Sequence, residues 1–161
     1  MSVKIQFDRV PSQHFDITLA STTFVICENP TTQNIPEFLQ LFEALNVKHL
    51  VRTSVKNYEL DQFLHRGIRV SELQFDHSAL PNDADIDKFM NIVKEAQAQK
   101  FNIAVQGVSG KTRSPLLVAC AACECGMGAN EAIQLIRARI SGQVFNPDQV
   151  EFLYGRYKAE K

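Results

Sequence analysis

Apolar residues recur along this chain at two periods, one near 2 and one near 3.6, and the two alternate. DITLAS and TTFVICEN, residues 16–21 and 22–29, carry the β-branched and aromatic content of strands and predict a pair of neighbours. Asn34, Ile35 and Pro36 then predict a helix start, with asparagine as cap and proline in the first turn. Ile35, Phe38, Leu39, Phe42 and Leu45 fall on one helical face, and Asn46 ends it. VKHLVRT, residues 47–53, returns to a strand. A short helix is expected near YELDQFLHRG, stopped at Gly67, then a strand RVSELQF and a loop through FDHSALPNDAD.

Pro81 and Asn82 lead into a helix that places Ile86, Phe89, Met90, Val93 and Ala96 on one side. FNIAV, residues 101–105, is almost unbroken in its apolar character and reads as the most buried strand. From Ser114 onward the pattern is mostly helical: SPLLVACAACE, then NEAIQLIRARI with Ala132, Ile133, Ile136 and Ile140 in phase, then NPDQVEFLYGRYK with Pro147 near its start. The alternation predicts an α/β fold, a central, mainly parallel sheet flanked by helices and joined by right-handed crossovers. No repeat or linker interrupts it, so one domain over residues 1–161 is expected. In such sheets ligands collect at the carboxyl ends of the strands, and the turn after FNIAV lies there.

Composition narrows the chemistry. A chain of 161 residues with 45% hydrophobic and 22% charged residues has an ordinary globular balance. It should bury roughly 70% of its unfolded surface. The formal net charge of -1 gives no bulk basicity to hold nucleic acid or acidic lipid, so any anion site must be local. MSVKIQFDRV has no apolar run of signal-peptide length, and nothing later approaches the roughly 20 apolar residues of a membrane helix; a cytoplasmic location is the expectation. Cys27, Cys120, Cys123 and Cys125 do not form a spread-out disulfide framework, and the Cys120/Cys123 pair falls inside an apolar helix, so these read as small core or surface residues. His14, His49 and His65 lack ligand spacing and are expected at the surface or half-buried; no metal or cofactor is called for.

The turn itself is AVQGVSGKTRSP, residues 104–115. A nucleotide loop of the form GxxxxGK[ST] needs a glycine five positions before Gly110, where the chain folds around a phosphate, but that position is Val105. Asp76 at a strand end would be a weak magnesium partner for such a loop. The cysteine-phosphatase loop HCxxGxxR[ST] fits better. There a strand presents the cysteine, inward NH groups and a helix N-terminus take the phosphate oxygens, and arginine grips two of them. Gly110, Arg113 and Ser114 stand at its glycine, arginine and hydroxyl positions. Gln106 and Gly107 stand at its histidine and cysteine positions, so the cradle over Gly107, Val108, Ser109, Gly110, Lys111, Thr112 and Arg113 keeps its spacing without its nucleophile.

Beyond the loop, FVICENPTTQNIPEFLQLFEALNVKHLVR, FDHSALP, TRSPLLVACAACECGMGANEAIQLIR and FNPDQVEFLYGRY together resemble the small protein-tyrosine phosphatases called phosphatases of regenerating liver. The resemblance runs over nearly the whole chain and implies the dual-specificity type of cysteine-phosphatase fold. It also implies two consecutive aspartates after the strand ending at Phe75, the second a general acid, where this chain has Asp76 and His77. The family's redox-partner cysteine corresponds to Ser54, and its basic stretch before the final helices to a segment holding Ile140 and Ser141. Its polybasic tail and prenylated cysteine have no counterpart in Ala159, Glu160 and Lys161, so no membrane anchor is expected. Family members also bind cyclin-M-type magnesium transporters, a partner the altered basic stretch leaves without support.

These features point to a pseudophosphatase with Asp76 and Ser114 as cleft residues, a phosphate-bearing ligand or phosphoprotein as its partner, and no nucleic acid. The alternative is an atypical phosphatase of low activity; a nucleotide-binding protein ranks behind both. A purely structural loop, with Arg113 paired to Asp76 or another carboxylate, is the plainer reading of the same residues. Gln149 falls where related phosphatases can place a glutamine near the site, although packing explains its helix equally well.

Overall fold

The computed structural model describes residues 14–28, 30–31, 33–53, 60–73, 80–107 and 113–157. Among the described residues five strands form one sheet: β1 (His14–Leu19), β2 (Thr22–Glu28), β3 (Val47–Arg52), β4 (Arg69–Glu72) and β5 (Asn102–Gly107). Their spatial order is β1-β2-β5-β3-β4, with β1 antiparallel to β2 and every other pair parallel. The helices among the described residues are, in chain order, α1 (Ile35–Ala44), α2 (Asp61–His65), α3 (Asp83–Gln99), α4 (Arg113–Glu124), α5 (Ala129–Arg139) and α6 (Pro147–Arg156). The α/β architecture and the helical and strand segments expected from periodicity are therefore present.

The strand alternation divides the core into two layers. Phe24, Ile26, Ile103, Val105 and Val51 face one side, where they pack with Ile86, Phe89 and Val93 of α3, the whole inner length of α4, and Ala132, Ile133 and Ile136 of α5. Val25, Cys27, Ala104, Val47 and Leu50 face the other, against Ile35, Phe38, Leu39 and Phe42 of α1 and Phe63 of α2. β5 sits between β2 and β3 and is buried on both faces, as its apolar run required. The rings of Phe24 and Phe89 meet at 6.1 Å between centroids, which ties β2 to α3; truncating either to alanine should cost about 3–5 kcal/mol.

α4 is the central helix. All ten residues from Ser114 to Cys123 are buried, because a helix apolar on every side can only sit inside, and its alanines and cysteines let neighbours approach closely. Pro115 falls in its first turn, where a missing NH is tolerated. At the far end Tyr157 donates its hydroxyl hydrogen to Glu124 at 2.7 Å, and Arg156 pairs with Asp83, so the end of α6 is tied to α4 and α3.

Two local expectations are corrected. Asn34 occupies the cap position of α1 but makes no side-chain cap; its Oδ1 instead accepts from the Thr31 NH at 2.7 Å, closing the turn before the helix. His49 is neither surface nor half-buried. It is 5% exposed, its Nε2 bonded to the Ser71 hydroxyl at 2.7 Å, and burial followed by the nearby Arg69 charge lowers its basicity. His14 is intermediate and His65 exposed.

Candidate functional site

The carboxyl end of β5 meets the amino end of α4 in the middle of the molecule. β5 ends at Gly107, which pairs in register with Glu28 of β2, and α4 begins at Arg113. Val105, the residue a nucleotide loop would need as glycine, is a fully buried strand position on the α4 side of the sheet. A chain that must stay extended there cannot also curl around a phosphate, so the strand itself argues against that loop.

Gln106 and Gly107 face opposite sides, as consecutive strand residues must. Gln106 is 0% exposed and stands beside Cys27, its register partner on the neighbouring strand, on the α1 side. Burial dominates that thiol and pushes it far above its ordinary value, while the neighbouring Gln106 side chain opposes the shift only in part. Cys27, Gln106, Arg52 and Glu72 are successive register partners across four strands. Arg52 closes this polar row by pairing with Glu72 at 3.3 Å.

Gly107 faces α4. A β-carbon built on it would lie 2.9 Å from Thr53 Oγ1 and 3.1 Å from Ser114 Oγ, closer than side chains normally come, so two hydroxyls define the floor beside this glycine. Thr53 is fixed from both of its polar ends. Its NH and its hydroxyl each donate to the Gln106 carbonyl at 2.8 Å. Its own carbonyl accepts from Arg113 Nη1 at 3.2 Å, which holds the half-buried guanidinium across the end of the sheet. Ser114 is 0% exposed, and its hydroxyl has no hydrogen-bond partner among the described residues.

The structure therefore brings together Gly107, Gln106, Arg113 and Ser114 of the residues singled out by sequence. Val108, Ser109, Gly110, Lys111 and Thr112 of the expected cradle, Asp76 and His77 of the expected acid loop, and Ser54 and Phe75 lie outside the described residues. Gln149 is buried, and its Oε1 accepts from the Asn146 NH at 3.0 Å while the Asn146 side chain accepts from the Gln149 NH at 2.8 Å. Its carbonyl oxygen is thus engaged in capping α6. Phe145 belongs to the core. Ile140 packs partly buried against the same core, and Ser141 Oγ accepts from the Gln143 NH at 3.1 Å.

Thr53 was missed by sequence reasoning. Its signal was present: it is the polar residue that ends VKHLVRT, at the carboxyl end of the strand next to β5. The cysteines behave as packing residues. Burial pushes the Cys120 thiol up to about 12 and the Cys123 thiol up to about 11. A groove of about 450 Å³ between α1 and α2, lined by Glu37, Gln40, Glu43, Gln62 and Arg66 among others, includes none of the residues at the β5–α4 junction. Among the described residues no helix is long and apolar enough to cross a membrane.

Comparison with known proteins places this junction in a family. No protein-family model matches the chain. Protein tyrosine phosphatase type IVA 2 of Mus musculus is 32% identical over 140 residues, covering 86% of this chain and 83% of the mouse protein. The probable protein tyrosine phosphatase type IVA A of Dictyostelium discoideum is also 32% identical, with the same coverage. Among solved structures, a putative protein tyrosine phosphatase from Leishmania major superposes with a TM-score of 0.78 at 28% identity, over 88% of this chain and 96% of that one. A kinase associated phosphatase shares the fold alone, with a TM-score of 0.75 at 14% identity over 94% of this chain and 99% of that one. The chain belongs to the type IVA protein tyrosine phosphatases, the phosphatases of regenerating liver, and has their cysteine-phosphatase fold.

Proposed function

We propose that this member of the type IVA family is a pseudophosphatase, a cytoplasmic protein that binds a phosphorylated protein segment at the β5–α4 junction and does not hydrolyse it. One observation carries the reading: β5 ends in Gly107, with no side chain to attack phosphorus, and the hydroxyls of Thr53 and Ser114 crowd the place of its β-carbon. Covalent phosphatase chemistry needs an activated nucleophile at that position. Neither hydroxyl replaces it. Thr53 spends its proton on the Gln106 carbonyl, and Ser114 has no described base within reach, since Gln106 is an amide turned to the other face.

What remains suits binding. Arg113 opens a helix of 12 residues whose N-terminus favours an anion, and the guanidinium is oriented by the Thr53 carbonyl. With glycine at 107, a phosphate dianion does not meet the negative charge of a thiolate at the end of β5. The relatives are named as tyrosine phosphatases, so phosphotyrosine is the ligand class this reading takes first. Four free thiols fit a reducing compartment.

The test is turnover of p-nitrophenyl phosphate by the natural chain beside a chain carrying Gly107→Cys, Gln106→His and His77→Asp. The reading expects nitrophenolate release from the restored chain only. A natural chain that hydrolyses at a rate near the restored one is instead the low-activity phosphatase.

A further inference from the structure

We propose that the groove between α1 and α2 binds an arginine side chain on an extended segment of a partner protein, with the Glu37 carboxylate holding its guanidinium. The groove shares no residue with the β5–α4 junction, so the inference stands apart from the pseudophosphatase reading.

Shape points to a segment of chain. The groove holds about 450 Å³ and follows α1 past Pro36, Glu37, Gln40 and Glu43, with Gln62 and Arg66 on its other wall. A smaller cavity of about 90 Å³ shares Leu39, Glu43 and Arg66 and carries the groove on to Val47 and Lys48 at the start of β3. At the helical rise, Glu37 to Glu43 span about 9 Å, close to the length of an extended tripeptide.

Chemistry points to a guanidinium. Glu37 Oε1 is buried without a hydrogen-bond partner among the described residues, in a side chain that lines the groove. A buried carboxylate oxygen left unbonded costs free energy, which a cationic donor recovers. The Gln40 and Gln62 side chains add carbonyl acceptors, and Leu39, 4% exposed, adds an apolar patch to the lining. Five donors in one plane with a flat apolar face suit that set better than an ammonium does.

The surrounding charges favour a cation. α1 carries Glu37 and Glu43, while α2 and the residue after it carry Asp61, His65 and Arg66. Among the described residues Arg66 pairs with Glu43 at 3.5 Å, and on the α1 side of the sheet Arg52 pairs with Glu72, which leaves Glu37 without an ion partner. Lys48 lies at the far end, in the smaller cavity. The positive end of α1, equivalent to about half a charge, opposes a cation, and the full charge of Glu37 in the first turn exceeds it.

NMR titration of the full chain with a capped pentapeptide of glycine and alanine around one central arginine tests the proposal. The amide signals of Glu37, Gln40 and Gln62 should move, and the same peptide with citrulline, uncharged and of nearly the same shape, should bind at least about tenfold more weakly. Glu37→Gln should weaken the arginine peptide by about tenfold or more. Arg66→Gln, which removes a cation and frees Glu43, should tighten it by about twofold to fivefold, a change that general damage to the fold would not produce. Gln40→Arg sets a guanidinium three residues from Glu37 on the same helical face and should abolish peptide binding. Signals that do not move, equal binding of the arginine and citrulline peptides, or unchanged affinity in Glu37→Gln overturns the inference. Ethylguanidinium binding as tightly as the pentapeptide also overturns it, since the groove would then take a small guanidine and not a segment of chain. Each of these results leaves the reading of the β5–α4 junction untouched.

Discussion

Two helix starts in this protein treat buried polar groups in opposite ways. At the start of α6, Asn146 and Gln149 cap one another reciprocally, and Arg137 donates to the carbonyls of Val144 and Phe145 at 2.8 and 3.2 Å just before them. The start of α3 repeats the device, with Asn82 and Asp85 bonded at 2.8 and 3.0 Å. At the start of α4, by contrast, Ser114 is as buried as Gln149 but its hydroxyl finds nothing among the described residues. The starts of α3 and α6 are saturated by their own side chains. The start that faces Gly107 and Arg113 leaves a buried hydroxyl without a partner among the described residues.

Substitutions at the two places should separate along that line. The largest stability effect is expected at the α4 side. Gly107→Cys forces a β-carbon against Thr53 Oγ1 and Ser114 Oγ and should cost about 1–3 kcal/mol by thermal or denaturant unfolding. Combining it with Thr53→Ala should cost less than the sum of the two single changes, because the second relieves the crowding made by the first. Strict additivity would mean that the hydroxyls do not define the floor. At the α6 side, Asn146→Ala should cost about 1 kcal/mol, the usual price of a lost N-cap, with phenyl phosphate affinity unchanged. A fall in affinity in that variant would erase the distinction between cap and site.

The smallest effect separates α4's interior from its start. The folded chain holds the Cys120 and Cys123 protons up to about 12 and about 11, above the ordinary thiol value of 9.0. Above that ordinary value the unfolded chain releases these protons first, so stability is full below pH 9 and declines as pH rises toward the folded values. Replacing both cysteines by alanine should flatten this alkaline decline, measured as melting temperature against pH, without restoring or removing ligand binding.

Most of the fold was legible because its signals are local. FNIAV reads as the most buried strand and is buried on both faces, and Ile35, Phe38, Leu39 and Phe42 at helical spacing form the buried side of α1. His49 was misread because its burial depends on a partner 22 positions away, Ser71 on the adjacent strand, which no local pattern encodes. Asn34 was misread because two short-range bonds competed for one side chain, and the turn at Thr31 won over the helix. In the site, the loop spacing identified Gly107, Arg113 and Ser114 directly. Thr53 was invisible to that template since it directly follows β3, and only the parallel pairing of β3 with β5 brings its hydroxyl to Gly107.

The central claim, a cradle that binds without cleaving, is tested most directly by equilibrium dialysis of radiolabelled phenyl phosphate against the natural chain, with Arg113→Ala dialysed alongside and the recovered label identified chemically. The natural chain should retain the label and return it as intact phenyl phosphate, and the alanine variant should lose roughly 100-fold in affinity, the worth of a guanidinium that grips two phosphate oxygens. Label recovered as inorganic phosphate, or retention untouched by Arg113→Ala, would contradict it.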